Sequence, residues 1–260
     1  MNKNVISIAP FDTTGTSGLV GDLKTFHQWR CYGMGVATEL VAANTTGIQA
    51  VYPVPFEFIA QQLESITADV EIHGVKIGAL RSADSVKLIA SLVEAYRFRT
   101  LILDPCLKTK TGAPLVSEDV TPAIREFLLP KTTVLVVNAA EAAMLSGKPI
   151  GDMASMREAA IELAGLGPIS VIVTGGHLDG RATDVLYDGV NVKTIDGPKL
   201  QSHNTLGIGS VFSASILSQI VRGTNTAEAI ANAKKFVAKA IVHPFVIGHG
   251  NGPLNLNVPV

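Results

Sequence analysis

Thr205-Leu206-Gly207-Ile208-Gly209-Ser210-Val211-Phe212-Ser213-Ala214 sets two glycines, one residue apart, directly before an apolar helical pattern. Val211, Phe212, Ala214, Leu217, Ile220 and Val221 recur on one helical face, and Gly223 supplies a stop, so the spacing predicts a helix over 211–222. Little on that helix is charged. A helix of this kind is buried, which places its N-terminus in a cleft between layers of a layered fold. Free backbone N–H groups and the positive end of the helix dipole meet there, an arrangement suited to a phosphoryl group. The same G-x-G pattern also reads as a turn needed only for close packing.

Working outward, short β-rich runs alternate with longer helical patterns. Val5 to Ala9 reads as a strand and Gly18 to Gln28 as a helix after a Thr/Gly/Ser loop. Val36 to Ala42 and Ile48 to Val54 read as strands, followed by a helix from Pro55 towards Asp69, with the proline in its first turn. Strands are expected at Val75 to Ile77, Leu101 to Leu103, Val134 to Val137 and Val171 to Val173, and helices at Asp84 to Tyr96, at Asp119 to Leu128 and around Glu141 and Met156. Val185 to Tyr187 and Val190 to Ile195 form a hairpin about Asp188-Gly189, and the last helices begin near Ser210 and Thr226. The alternation predicts an α/β fold with a doubly wound, mostly parallel sheet, as one domain over residues 1–260.

Composition fits that architecture. Hydrophobic residues make up 47% of the chain and aromatics 5%, a balance suited to helices packed on a largely parallel sheet. A formal net charge of -1 offers no electrostatic case for nucleic acid or an acidic membrane surface, so the expected partner is a small molecule. Cys31 and Cys106 make no disulfide framework. The absence of a leader pattern before Val5 and of a long apolar run gives a cytoplasmic location as the expectation.

In a doubly wound sheet, ligands bind beyond the carboxyl ends of the strands. Asp12, Asn44, Asp104, Asn138 and Gly175-Gly176-His177 each follow an expected strand. Each also has a plainer reading. Asn138 with Glu141 three residues on is the pattern of a helix-capping box, Asp104-Pro105 is an ordinary strand exit, and His177 suits a solvated loop. Their recurrence at one sheet edge is what favours a site.

The order Asp12, Gly15, Gly18, Asp22-Leu23-Lys24-Thr25-Phe26, Ala42-Ala43-Asn44-Thr45, Lys76-Ile77-Gly78, Asp104-Pro105 and Lys110-Thr111-Gly112 resembles the hydroxymethylpyrimidine phosphate kinases of thiamine biosynthesis, within the ribokinase-like superfamily. Asn138 with Glu141, Gly175-Gly176-His177, Asp184 to Gly189, Ala233-Lys234 and the closing Gly248 to Asn255 continue the match in order, over almost the whole chain. The resemblance implies a three-layer α/β/α kinase, homodimeric, moving the γ-phosphate of ATP with Mg2+ onto a pyrimidine alcohol or its phosphate. By carry-over, Gly207 and Gly209 form an anion hole beside Ser210. Asn138, Glu141, Thr174 and Lys110 serve nucleotide and metal, with Glu141 acting on the metal through water. Asp12, Asp22, Ala43, Asn44 and Ala79 line the substrate. Such a site works mainly by positioning and electrostatic stabilisation.

Several positions depart from the family pattern. Ser210 stands where these kinases usually carry Cys, and related kinases Asp, as the base, and Thr174 stands where they usually carry a phosphate-contacting Lys, for which Lys108 or Lys110 could substitute. Ala43 takes the place of a pyrimidine-recognising glutamine, Ala79 that of a methionine packed on the ring, and Pro10-Phe11 that of Gly-Ser. Losing a general base typically costs ~10²–10⁴ in rate, whereas losing paired hydrogen bonds to a base edge can cost ~10⁴ in discrimination. Two alternatives therefore accompany the kinase reading: a catalytically degraded paralogue that binds a nucleotide or metabolite, and a kinase for another vitamer such as a pyridoxal-like alcohol.

Overall fold

The computed structural model describes residues 3–108, 115–176, 182–243 and 245–260. Lys110, Thr111-Gly112 and His177 lie outside the described residues. The chain forms two compact units, Met1–Gly78 with Leu200–Val260, and Ala79–Lys199.

The first unit opens with β1 (Lys3–Asp12), α1 (Gly18–Gln28), β2 (Cys31–Asn44), β3 (Gly47–Pro53), α2 (Phe56–Thr67) and β4 (Gly74–Ile77). Its strands lie in the order β3-β2-β1-β4, with β1 parallel to β2 and β4, and β3 antiparallel to β2. Val5 to Pro10 are buried without a break, and so is all of β4. Successive strand residues point to opposite faces, so continuous burial means that both faces are covered. Every residue of β3, at the edge, is exposed.

The second unit contains α3 (Ala83–Ala95), β5 (Leu101–Leu103), α4 (Val120–Ala123), β6 (Val134–Asn138), α5 (Ala139–Ser146), α6 (Met153–Ala164), β7 (Ser170–Thr174), β8 (Asp184–Tyr187) and β9 (Val192–Ile195). The order is β5-β6-β7-β8-β9, parallel as far as β7 and antiparallel beyond it. Buried runs in β5, β6 and β7 again require cover on both faces. The mostly parallel α/β/α arrangement is the expected one. The chain then returns to the first unit with α7 (Ile208–Ile220) and α8 (Thr226–Val242).

Some expected boundaries shift. The helix expected over 119–128 is α4 followed by a π-helical stretch, Ile124–Leu128, and a 3-10 turn, Leu129–Lys131. Pro55 caps α2 from outside rather than opening its first turn, and β9 starts two residues later than Val190. The consequential shift is at α7, which begins at Ile208, three residues before the expected start. Gly207 turns the chain with φ +83, so Gly209 and Ser210 belong to the first helical turn and not to a loop ahead of it.

The same glycine is required on a second ground. A Cβ at Gly207 would lie 1.8 Å from the Thr16 carbonyl oxygen, so the loop after β1 is packed directly on the start of α7. Gly147, at the C-cap of α5 with φ +75, has nothing within 4 Å of its Cβ position. Gly147→Ala therefore isolates left-handed strain, about 1–2 kcal/mol. Gly207→Ala adds overlap with backbone and is expected to cost roughly 3 kcal/mol or more in urea unfolding. Equal losses in the two variants would show that the Thr16 loop yields freely.

Candidate active site

In the first unit, four elements deliver polar side chains to one buried point. Asp22 on α1 is wholly buried, and Lys76 on β4 is 1% exposed. Lys76 Nζ donates to Asp22 Oδ1 at 2.6 Å and to Ser210 Oγ at 3.1 Å. Ser210 Oγ, on α7, donates to the same Asp22 Oδ1 at 2.7 Å, and Ser7 Oγ, on β1, donates to Oδ2 at 2.5 Å. Burial pushes the Asp22 carboxyl above its ordinary value, and the Lys76 ammonium with three hydrogen bonds pulls the other way. Both Asp22 oxygens are thus engaged inside the protein, one of them by Ser210.

Ser210 lies at the start of a helix that no side chain caps. The first-turn N–H groups of Ile208, Gly209 and Ser210 are therefore not tied up by a capping residue, and they stand at the positive end of α7. Around this end, Asp12 organises the loop that packs on Gly207. Its carboxylate accepts from the Thr14 backbone N–H at 2.8 Å and from the hydroxyls of Thr14, Thr16 and Ser17 at 2.7, 3.2 and 2.8 Å. Asp12 is accordingly a loop-forming residue in this structure, turned into the 13–17 segment. Pro10, which has no N–H, sits where β1 slips register against β2 between Ala9 and Phe11.

Ala43 and Asn44 close β2. The Thr13 hydroxyl donates to the Ala43 carbonyl at 2.9 Å and accepts from the Ala43 N–H at 3.0 Å, which fastens the loop to the strand end. Asn44 Oδ1 accepts from the Thr46 N–H and hydroxyl at 2.9 and 2.6 Å, so that oxygen shapes the turn into β3. Against this turn lies the glycine-rich C-terminal stretch. The Gly250 N–H donates to Thr45 Oγ1 at 3.1 Å, and a Cβ at Gly250 would fall 1.9 Å from the Thr45 carbonyl oxygen. Leu206 donates to the Gly252 carbonyl at 3.1 Å, bracing the segment that enters Gly207.

In the second unit, Asn138 and Thr174 are register partners at the carboxyl ends of β6 and β7. Asn138 and Glu141 form the capping box that their spacing announces: Asn138 Oδ1 accepts from the Glu141 N–H, and Glu141 Oε2 from the Asn138 N–H, both at 3.0 Å. Glu141 Oε1 also accepts from the Leu107 N–H at 3.1 Å. Burial, and then the negative charge of Asp104, push the Glu141 carboxyl up to about 7. Two mutually repelling carboxyl groups suit a divalent cation, and each Glu141 oxygen keeps a second lone pair for a metal-bound water, so this donor set fits magnesium held through water. The half-buried Thr174 contributes a hydroxyl and no charge. Gly175 donates to Asp184 at 3.1 Å, and a Cβ there would lie 2.1 Å from the Thr183 carbonyl oxygen, so close packing alone requires this glycine. Ala79, half-buried, follows β4.

Lys76 is the residue that the reading of motifs did not single out for the site. Its signal was present: a lysine inside the apolar strand Gly74-Val75-Lys76-Ile77 must be answered by an opposite charge where it is buried.

The chain also resembles known proteins over nearly all of its length. A family model described as phosphomethylpyrimidine kinase matches residues 12–255. The thiamine biosynthesis bifunctional protein ThiED of Geobacter sulfurreducens is 37% identical over 253 residues, 97% of this chain and 52% of that protein, so the chain spans about half of that relative's length. The hydroxymethylpyrimidine/phosphomethylpyrimidine kinase of Haemophilus influenzae is 35% identical over 258 residues, 97% of this chain and 96% of that one. Among solved structures, the pyridoxal kinase of Bacillus subtilis in its ADP complex matches with a TM-score of 0.90 at 32% identity, covering 98% of this chain and 97% of that one. The ribokinase-like α/β fold is thereby shown.

Three variants read the site's electrostatics. Between the ordinary Glu value of 4.5 and about 7, the folded protein holds a proton on Glu141 that the unfolded chain releases. Stability therefore falls as pH rises through that window, by roughly 3 kcal/mol in all, and levels off above it. Glu141→Gln is expected to flatten this slope in urea titrations at pH 4.5–8; an unchanged slope would assign it to other groups. Ser210→Asp sets a second carboxylate against Asp22 and is expected to lower Tm, whereas Ser210→Cys is tolerated. Calorimetric scans that find the two variants equally stable would contradict this.

Proposed function

Because the chain belongs to the phosphomethylpyrimidine kinase family, we propose that it transfers the γ-phosphate of ATP to the hydroxymethyl group of hydroxymethylpyrimidine or its monophosphate, as a step of thiamine biosynthesis. Family membership makes the chain a phosphotransferase. The observation that carries the proposal is the uncapped start of α7, where Ser210 joins the buried Asp22–Lys76 pair.

In this reading the N–H groups around Gly207, Gly209 and Ser210 hold the phosphoryl group in flight, where fixed donors need no reorganisation as charge develops. Asn138 and Thr174 serve the nucleotide phosphates, and Glu141 acts on a magnesium ion through water; magnesium neutralises phosphate charge when bound. Lys110 and Lys108 are the cations proposed in place of the family's lysine at Thr174. Ala43, Asn44 and Ala79 flank the substrate, with Asp12 shaping the adjoining loop. The activity is assigned to a single kinase domain over residues 1–260, working in the cytoplasm.

A homodimer is part of the proposal. Edge strand β3 is exposed along its whole length, and Leu40, Ile48, Val51 and Tyr52 on the β2–β3 ribbon are 47%, 51%, 39% and 65% exposed. An apolar edge of that kind invites pairing, and a second copy would cover it. Sedimentation velocity is expected to give a dimer for the native chain and a monomer for Val51→Lys with Tyr52→Asp; a native monomer would remove the dimer from the proposal.

A second reading, phosphorylation of a pyridoxal-like alcohol, is favoured by the likeness to the Bacillus subtilis pyridoxal kinase and by the small side chains of Ala43 and Ala79. ATP consumption over a panel of pyrimidine and pyridine alcohols and their monophosphates decides between the two. The expected outcome is turnover of hydroxymethylpyrimidine or its phosphate, with Ala43→Gln plus Ala79→Met raising its affinity. Preference for pyridoxal would instate the second reading, and no turnover of any alcohol would leave a binding protein.

A further inference from the structure

Ser210 poses a chemical problem for the kinase reading, because an isolated serine hydroxyl is a very poor proton acceptor at neutral pH. Its surroundings change the problem. An ionised carboxylate can only accept, so the hydrogen bond between Ser210 Oγ and Asp22 Oδ1 at 2.7 Å has the serine as donor. A hydroxyl has one donor and two acceptor positions. The donor is spent on Asp22, one acceptor is filled by Lys76 Nζ at 3.1 Å, and the second acceptor remains for a substrate hydroxyl. Ser210 is 9% exposed whereas Asp22 is 0% and Lys76 1%, so Asp22 meets an incoming alcohol through Ser210.

Resting on the proposed kinase function, we infer that Asp22 is the terminal proton acceptor of phosphoryl transfer and that Ser210 relays the proton to it. As the substrate oxygen bonds to the γ-phosphorus and the bond to the ADP oxygen breaks, the substrate O–H proton moves to Ser210 Oγ. The proton originally on Ser210 moves to Asp22 Oδ1. The products are ADP, the phosphate ester, an intact serine hydroxyl and a neutral Asp22, which returns its proton to solvent through Ser210 after release. No oxidant, reductant or covalent intermediate is involved. Lys76 is a positioning residue: by donating to both partners at 2.6 and 3.1 Å it fixes their distance, and its charge favours the ionised form of Asp22 against burial. Burial raises the basicity of the Asp22 carboxylate above that of an exposed one, in the direction an acceptor requires.

The test uses the full chain, radiolabelled ATP, and hydroxymethylpyrimidine and pyridoxal as acceptors in single-turnover quench experiments. Ser210→Ala is expected to lower the transfer rate by ~10²-fold or more with KM for ATP and alcohol within about threefold. Asp22→Asn alone removes the carboxylate that faces a buried ammonium, so it is paired with Lys76→Met. That double variant is expected to lose a similar factor and the acid limb of the pH–rate profile. Adding Ser210→Ala to it should cost nothing further, since one relay cannot be broken twice. Retained rate or a retained acid limb in the double variant overturns the relay, as do losses that multiply in the triple. Should the double variant not fold, carbon NMR of the Asp22 carboxyl in the native protein decides: an ionised group at pH 7.5 whose resonance moves in Ser210→Ala supports the relay, and a neutral acid overturns it. Absence of transfer by the native chain to either alcohol defeats the kinase reading and the relay with it, whereas transfer that is indifferent to Asp22 defeats the relay alone.

Discussion

Lys76 and Asp22 are paired at 2.6 Å with side chains 1% and 0% exposed, and much of the first unit is arranged so that this pair can exist. Removing two charges from water costs several kcal/mol per ion, and attraction repays it only when geometry is good and the remaining hydrogen-bonding positions are filled. Here a serine from β1 fills one carboxylate oxygen and a serine from α7 shares the other. The pair contributes little to stability against a well-packed apolar alternative. What it supplies is specification: β1, α1, β4 and α7 must meet in one register, or a charge is left unanswered.

A second constraint is steric. Backbone runs against backbone where the Thr16 carbonyl faces Gly207 and Gly21, where the Pro10 carbonyl faces Gly18, and where the Thr45 carbonyl faces Gly250. Any side chain at these places would meet an oxygen at 2.8 Å or less. The loop after β1, the β2–β3 turn, the C-terminal stretch and the start of α7 therefore behave as one fitted assembly. Asp12 and Thr13 complete it with hydrogen bonds. At Gly207 the close-packing reading of G-x-G holds, since packing against Thr16 sets where the helix starts.

These two constraints explain what could be read in advance. Alternating strands and helices are local patterns, so α1 was legible to the residue, and β5 as well. The Asn138–Glu141 capping box is likewise a three-residue signal that needs no tertiary knowledge. The start of α7 was misjudged because it depends on a left-handed glycine packed against Thr16, a contact between residues far apart in sequence. The union of Asp22, Lys76 and Ser210 was not legible for the same reason, although Lys76 in an apolar strand carried half of the clue. Asp12 and Asn44 are legible as polar residues at expected strand ends, and Asp22 enters only through the family resemblance. Pattern alone could not tell that Asp12 and Asn44 shape turns and that Asp22 lies under Ser210.

The same geometry separates rate from specificity. A loose phosphoryl-transfer transition state asks little of a base early on, so under the proposed relay a serine backed by a buried carboxylate answers for proton removal. Recognition of the heterocycle has no such reserve. A pyrimidine edge is read by a few paired hydrogen bonds, and neither the Ala43 nor the Ala79 side chain can supply one. The Ala43 N–H is held by the Thr13 hydroxyl, which also donates to the Ala43 carbonyl. Under the proposed function, substrate choice would therefore rest on shape and on polar groups other than these two side chains, and the alanines at 43 and 79 would act on which alcohol is held more than on whether a phosphoryl group moves.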